Sequence, residues 1–177
     1  MTNNRRVVVG CTIAWLVTGC GAPHATATSS PPRQVTASGG PTLTGKDVSI
    51  TAFRGHPVVL IFWASWCGPC HDEQPALNTA YARWSSRGVA FLGIDLRDTT
   101  TPALAFQSEF KVLYPSIADT NAVLAVDYRI PSAPALVFLT TRGKVADVVL
   151  GALGTMSVAD FNAEITTLLG TSQTGSA

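Results

Sequence analysis

Two cysteines, Cys67 and Cys70, are separated by two residues and directly follow the apolar run 58–63. The residues after them have the apolar spacing of a helix, so both thiols are expected in the first turn of a helix that leaves a buried strand. A helix N-terminus carries unpaired N–H groups and a partial positive charge, which stabilise the thiolate that attacks disulfides. A C-x-x-C pair also occurs in metal sites, but this strand and helix favour a pair that closes into a disulfide and reopens.

The composition is that of one ordinary globular domain. The chain has 177 residues, of which 46% are hydrophobic, and this is enough for a sizeable core. Its formal net charge of +1 at pH 7 indicates neither a nucleic-acid partner nor an acidic target. We therefore expect a monomeric domain that binds no nucleic acid.

The first 19 residues have the features of an export signal. Arg5 and Arg6 precede the apolar stretch 7–17, which is too short to span a bilayer as a helix. The stretch ends at Val17-Thr18-Gly19-Cys20, which resembles the lipobox of bacterial lipoproteins, where cleavage before the cysteine accompanies lipidation of its sulfur. Cys20 is then a lipid anchor on the extracytoplasmic face of the membrane. The alternative is an ordinary secretory signal in which Cys20 is incidental.

The rest of the chain divides by composition. Residues 20–42 are expected to form the lipid anchor and a flexible linker, because Ala, Thr, Ser, Pro and Gly dominate there. The folded domain is predicted over 43–170, and 171–177 are predicted to be a disordered tail. With Cys11 removed in the cleaved signal and Cys20 lipidated, no further cysteine remains to pair with Cys67 or Cys70, which favours a redox pair over a structural disulfide.

Strands and helices alternate along the folded part, which predicts an α/β fold with helices around a central sheet. Strands are predicted at 48–53, 58–63 and 89–94, and a hairpin is predicted from 135–139 and 144–149. Helices are predicted after Cys70 with a kink at Pro75, from Thr101 as N-cap with Pro102 in the first position, from Asp119 through Tyr128, and from the Ser157–Asp160 capping box to Gly170.

Three separated motifs resemble the TlpA/ResA branch of the thioredoxin superfamily. They are the segment 45–70, with Glu73 and Pro75 behind it, then Tyr128-Arg129-Ile130-Pro131-Ser132-Ala133-Pro134, and Gly143-Lys144-Val145. Members of this branch are extracytoplasmic thiol–disulfide oxidoreductases, often anchored to a membrane. The resemblance covers about residues 45–170 and implies a thioredoxin-like fold, with a central mixed β-sheet flanked by helices.

The resemblance also implies roles around the cysteines. Cys67, at the exposed start of the helix, is expected to be the attacking thiolate, and Cys70 is expected to resolve the mixed disulfide. Glu73 lies three residues beyond Cys70 and thus on nearly the same helix face, as a proton acceptor for Cys70 or a tuner of Cys67. The alternative for Glu73 is a solvated surface glutamate. His71 and Asp72 are weaker candidates, because surface positions in the first turn suit both.

Substrate contact is expected around the cysteines and at one proline. Pro134 matches the family's cis-proline, which faces the cysteines and leaves the backbone of Ala133 free to pair with an extended substrate. An ordinary turn proline is the alternative, and Pro131 is the local competitor. Trp66 is either a contact surface or a half-buried aromatic. The expected supporting residues are Trp66, Gly68, Pro69, Ala133 and Pro134.

One position departs from the family pattern. Six residues before the first cysteine, thioredoxins carry a buried aspartate and many relatives carry an asparagine, whereas this chain has Ile61. Another residue must then accept and release the proton, and this favours a catalytic role for Glu73.

Three other functions fit parts of the pattern. Cys67-Gly68-Pro69-Cys70-His71 also satisfies C-x-x-C-H, the attachment motif of c-type haem, for which Met156 is the remaining methionine that could be a distal ligand. Zinc is disfavoured, because a second Cys or His pair at ligand spacing is absent from the sequence. The third alternative is a binding module in which the two cysteines only form a structural disulfide that stabilises a turn. We expect no cofactor and no metal.

The expected activity is thiol–disulfide exchange with exported proteins, and the Gly-Pro dipeptide between the cysteines favours a reductase over a disulfide-forming oxidase. Apocytochrome c before haem attachment is one possible substrate implied by the resemblance. A membrane redox partner is expected to recycle the pair.

Overall fold

Eleven regular elements position the site in the computed structural model, which describes residues 39–151, 153 and 156–173. The strands are β1 (Gly39–Pro41), β2 (Asp47–Ser49), β3 (Val58–Trp63), β4 (Ala90–Leu96), β5 (Ser116–Asp119), β6 (Ala135–Leu139) and β7 (Val145–Leu150). The α-helices are α1 (Gly68–Trp84), α2 (Thr100–Glu109), α3 (Val123–Tyr128) and α4 (Val158–Gln173). Short 3₁₀ turns cover Ile50–Phe53 and Ser85–Arg87.

The central sheet is mixed, as predicted. Its five strands lie in the order β5-β4-β3-β6-β7. The strands β3, β4 and β5 run parallel to one another, β6 runs antiparallel to β3, and β7 runs antiparallel to β6. The predicted hairpin from residues 135 to 149 is confirmed as β6 and β7. Because β3 is central, its six residues are all buried, which explains their continuous apolar run.

The N-terminal hairpin corrects two predictions. β1 pairs with β2, and Thr42 forms a bridge to Ile117, so residues 39–42 belong to the folded part and not to the predicted linker. The strand predicted at 48–53 ends at Ser49. There the Ser49 hydroxyl accepts a hydrogen bond from the Thr51 N–H and begins a 3₁₀ turn. Residues 20–38 lie outside the described residues.

The helix boundaries follow their capping groups. The Asp119 carboxylate accepts hydrogen bonds from the N–H groups of Leu124 and Ala125, so it caps α3 as predicted. The predicted start is wrong, however, because Asp119 ends β5, and α3 begins at Val123 with Ala122 as N-cap. The Ser157 side chain accepts the Asp160 N–H and contacts its carboxylate, as predicted for α4.

Two other predicted helix boundaries need correction, and one strand was not predicted. The helix predicted from Thr101 begins at Thr100, with Thr99 as N-cap. Gly170 does not end α4, which continues to Gln173, because Gly170 lacks the left-handed backbone of a C-cap glycine. The strand β5 was not predicted, since its four residues are too few to show a pattern. α1 runs through Pro75 without a break, and a kink there stays a prediction.

The core has two parts, one on each face of the sheet, because side chains alternate along a strand. On one face, Val59, Ile61 and Trp63 pack with residues of α1, α2 and α4, and both cysteines belong to this part. On the other face, Leu60 and Phe62 pack with α3. Within the part of the chain that the structure describes, no helix is both long and apolar enough to cross a membrane.

Candidate active site

Cys67 and Cys70 form a disulfide at the start of α1, with their Cα atoms 5.3 Å apart. The strand β3 ends at Trp63, and Cys67 is the N-cap residue of α1. Its Sγ accepts a hydrogen bond from the Cys70 N–H at 3.2 Å. A sulfur at this position therefore receives both an N–H dipole and the positive end of the helix, which together favour a thiolate once the disulfide is reduced.

The sulfurs are more buried than predicted. Cys67 was expected at an exposed helix start, but it is only 3% exposed, and Cys70 is 1% exposed. Both side chains pack in the core cluster on the α1 face of the sheet. The surface around the pair is open instead at Gly68 and Pro69 and at Trp66, which is 54% exposed.

Glu73 lies on the inner face of α1. Cys70, Glu73 and Leu77 form one buried stripe at helical spacing, and Glu73 is 6% exposed. The backbone N–H of Leu153 donates a hydrogen bond to its carboxylate at 2.8 Å. Burial raises the pKa of Glu73 to about 7, although the Leu153 hydrogen bond opposes this increase. The alternative of a solvated surface glutamate is therefore wrong for Glu73, whereas Asp72 is exposed.

Pro134 lies at the same edge of the sheet as the cysteine-bearing loop. The Ala133–Pro134 peptide bond is cis, as the resemblance implied. The next residue, Ala135, pairs with Phe62 near the end of β3. Ala133 is partly buried and packs against the core cluster that contains both cysteines, whereas Pro131 is exposed.

His71 fixes the loop before the cysteines. Its Nε2 lies 2.9 Å from the Ser65 carbonyl oxygen, and its ring meets Phe106 and Phe110 edge-on. In the C-x-x-C-H alternative the two cysteine sulfurs would bind a haem, but here they bind each other. Among the described residues, no group of three or more His, Cys, Asp or Glu side chains is placed to hold a metal ion.

The sequence analysis missed a pair of buried aspartates, Asp95 and Asp98. The strand was predicted to end at Ile94, but β4 continues to Leu96 and buries Asp95, which is 2% exposed. Burial, together with the charge of Asp98 and a hydrogen bond to it, raises the pKa of Asp95 to about 8. The sequence did contain a signal for this pair, since an aspartate stands inside an apolar run and a second aspartate follows three residues later.

Asp95 and Ile61 lie on the same face of the sheet. Ile61 is fully buried and pairs with Gly93, and Asp95 lies two residues further along the same strand, opposite Trp63. The buried acid of this face is thus on β4 and not on β3. The predicted anchor Cys20, the signal 1–19 and residues 174–177 lie outside the described residues.

Comparison with known proteins gives consistent matches. The model of the AhpC/TSA family matches residues 22–148. Thiol-disulfide oxidoreductase ResA of Oceanobacillus iheyensis is 31% identical over 106 residues, which are 60% of this chain and 55% of that protein. The chain thus spans little more than half the length of this curated relative.

Two solved structures share the fold over nearly their whole length. The structure of MTB DsbF has 30% identity and a TM-score of 0.67, covering 76% of this chain and 99% of that one. A secreted Mycobacterium tuberculosis disulfide oxidoreductase homologous to E. coli DsbE has 27% identity and a TM-score of 0.64, covering 73% and 94%. With this fold, this disulfide at a helix start and these matches, the chain belongs to the AhpC/TSA family, as a ResA-like protein of the thioredoxin superfamily.

Proposed function

We propose that the chain is an extracytoplasmic thiol–disulfide oxidoreductase that reduces disulfides of exported proteins. The observation that carries this proposal is the Cys67–Cys70 disulfide at the N-terminus of α1, where the Cys70 N–H donates to the Cys67 sulfur. The positive end of the helix stabilises a thiolate on Cys67, which is the attacking group in disulfide exchange.

The proposed reaction has two steps. In the reduced protein the Cys67 thiolate attacks a substrate disulfide, forms a mixed disulfide and expels one substrate thiolate. Cys70 then loses its proton and attacks Cys67, which releases the second substrate thiolate and closes the Cys67–Cys70 bond. Two electrons pass to the substrate, and both released thiolates take up protons according to their pKa. A dithiol of a membrane redox partner returns the pair to the reduced state.

Glu73 is the proposed proton acceptor for Cys70. It lies one turn beyond Cys70 on the buried stripe of α1, and its pKa of about 7 suits proton exchange near neutral pH. The Leu153 N–H holds the carboxylate oxygen, which fixes its orientation. The proton of Cys70 thus has a defined acceptor although position 61 is apolar.

Substrates are proposed to bind to the exposed residues around the disulfide. Trp66 offers an exposed aromatic face, and Gly68 and Pro69 leave the approach to Cys67 open. The backbone at Ala133, before Pro134, is proposed to pair with an extended substrate segment. The proposed substrates are exported proteins, apocytochrome c among them. The enzyme is proposed to act as a monomer.

The reduction potential of the Cys67–Cys70 pair tests this direction of electron flow. The purified chain is equilibrated with glutathione or dithiothreitol buffers, and the thiols are counted by a mass-changing alkylating agent, with Cys67→Ala as the control. A reductase is expected near the thioredoxin value of about −270 mV. A value near about −120 mV, typical of strong oxidants, would instead assign a disulfide-forming oxidase.

The proposed location rests on the sequence before residue 39. Residues 1–19 are proposed to be a lipoprotein signal, Cys20 the lipid anchor, and the following residues a linker to the domain. Cys20→Ala should release the protein from membranes or trap its precursor. Unchanged fractionation of this variant, together with an unmodified mature N-terminus by mass spectrometry, would refute the anchor.

A further inference from the structure

Asp98 joins the loop after β4 to the loop that leads into Cys67. One of its carboxylate oxygens accepts a hydrogen bond from the Ser65 N–H at 2.6 Å, and the other accepts one from the Thr99 N–H at 2.7 Å. Both oxygens are therefore acceptors of backbone donors. Because Asp98 is buried, these bonds are little weakened by water.

The same loop is held at two further points. The Ser65 carbonyl oxygen contacts His71, so both the N–H and the carbonyl of Ser65 have side-chain partners. The Trp66 indole N–H donates to the Arg97 carbonyl at 3.4 Å. Arg97 has a left-handed backbone with φ of 49°, which turns the chain between β4 and Asp98. Residues 64–66 thus depend on the 97–98 segment for their position.

Asp95 is the unusual neighbour of this contact. It is 2% exposed, and among the described residues its Oδ1 has no hydrogen-bond partner. An isolated buried carboxylate is costly, so the protonated form, which donates to Asp98, is favoured. Asp119 on β5 is a second acid whose negative charge acts in the same direction, and His71 on α1 contacts the Ser65 carbonyl of the loop.

We propose that protonated Asp95 donates to Asp98 and that this contact positions residues 64–66 beside Cys67, so that the reactivity of Cys67 depends on the protonation of Asp95. Loss of the Asp95 proton places two carboxylates side by side, and their repulsion weakens the hold of Asp98 on the Ser65 N–H. The proposal rests on thiol–disulfide exchange at Cys67, and both aspartates act as positioning residues.

The test compares Asp95→Asn and Asp98→Asn with Asp72→Asn, a matched change at an exposed aspartate of α1. An asparagine at 95 keeps a donor toward Asp98 but cannot titrate. Since burial and Asp98 raise the pKa of Asp95 to about 8, the wild-type Tm should fall as the pH rises through that value. Asp95→Asn should lose this part of the fall, and Asp72→Asn should keep it.

Alkylation of Cys67 supplies the readout that a merely structural role would not change. In a Cys70→Ser background, the pH profile of alkylation should show a second inflection near the titration of Asp95. Asp95→Asn should abolish this inflection, and Asp98→Asn should slow alkylation several-fold at neutral pH. Asp72→Asn should retain the wild-type profile.

Identical profiles of unfolding and alkylation for wild type and Asp95→Asn would overturn the proposal. If Asp98→Asn does not fold, the Asp95→Asn comparison decides alone. Alkylation needs no protein substrate, so a chain that failed to exchange disulfides but showed the second inflection would overturn the proposed function and support the pair.

Discussion

Two buried carboxyl groups, Glu73 on α1 and Asp95 on β4, lie on the same side of the central sheet as the disulfide, in different surroundings. Glu73 has one backbone donor, the N–H of Leu153. Asp95 has another carboxyl group, Asp98, as its partner. Burial raises the pKa of both, but the neighbouring charge of Asp98 raises that of Asp95 further.

This difference separates two uses of a buried acid. A carboxyl group with a pKa of about 7, and with no acidic partner among the described residues, can accept a proton and release it near neutral pH, as proton transfer from Cys70 requires. A carboxyl group whose pKa is raised to about 8 beside a second acid keeps its proton over the same pH range. Glu73 therefore suits the chemical step, and Asp95 suits the positioning of the loop before Cys67.

Glu73→Gln should produce the largest effect on the reaction. Glutamine keeps the shape and can still accept the Leu153 N–H, but it cannot take the proton of Cys70. The mixed disulfide at Cys67 should form at the wild-type rate, while its resolution should slow by up to about 10²-fold. Quenched-flow trapping of the mixed disulfide measures both steps.

Asp72→Asn is the control for this prediction, because its side chain is exposed and should not assist Cys70. If Glu73→Gln resolves the mixed disulfide at the wild-type rate from about pH 5 to about pH 9, water or the backbone must accept the Cys70 proton. Glu73 would then have no role in the reaction, and the proposed difference in use between the two acids would be wrong.

Unfolding as a function of pH should separate the two acids next. The pKa of Glu73 is raised from 4.5 to about 7, so its protonated form stabilises the fold below pH 4.5, and this stabilisation is lost as the pH rises through about 7. One pKa unit corresponds to about 1.4 kcal/mol, so the loss between pH 4.5 and about pH 7 is at most about 3.5 kcal/mol. In thermal scans of the oxidised protein, Glu73→Gln should therefore gain Tm over wild type as the pH rises.

For Asp95 the corresponding loss continues to about pH 8, because its pKa is raised from 3.8 to that value. Asp95→Asn should thus gain most over wild type above neutral pH, where the gain from Glu73→Gln is already complete. Parallel curves for the two variants would show that the two acids do not differ.

Trp66→Ala should have the smallest effect on both acids and on stability. The side chain is 54% exposed, so its loss should change the free energy of unfolding by about 0.5 kcal/mol or less. Exchange with protein substrates should weaken several-fold through KM, while reduction by dithiothreitol should not change. An equal loss with dithiothreitol would mean that Trp66 acts through the position of Cys67.

Features set by local residue spacing could be predicted from the sequence, whereas features set by contacts between distant residues could not. The C-x-x-C pair at a helix start and the helix face of Glu73 follow from spacing within a few residues, whereas the mixed sheet was implied by the resemblance to the thioredoxin superfamily. The burial of Glu73 could not be predicted, because it depends on Leu153, 80 residues away. Asp95 was missed because a charged residue after an apolar run usually indicates that the strand has ended, and the strand was therefore predicted to end at Ile94. Its partner Asp98 lies beyond this predicted end.

The most direct test of the account is the alkylation of Cys67 and Cys70 by iodoacetamide as a function of pH, measured in single-cysteine variants. The helix N-terminus and the Cys70 N–H favour the thiolate of Cys67, whereas Cys70 lies one turn inward on the same buried helix face as Glu73. Cys67 should therefore react at a lower pH than Cys70. Equal or reversed reactivity would contradict Cys67 as the attacking group.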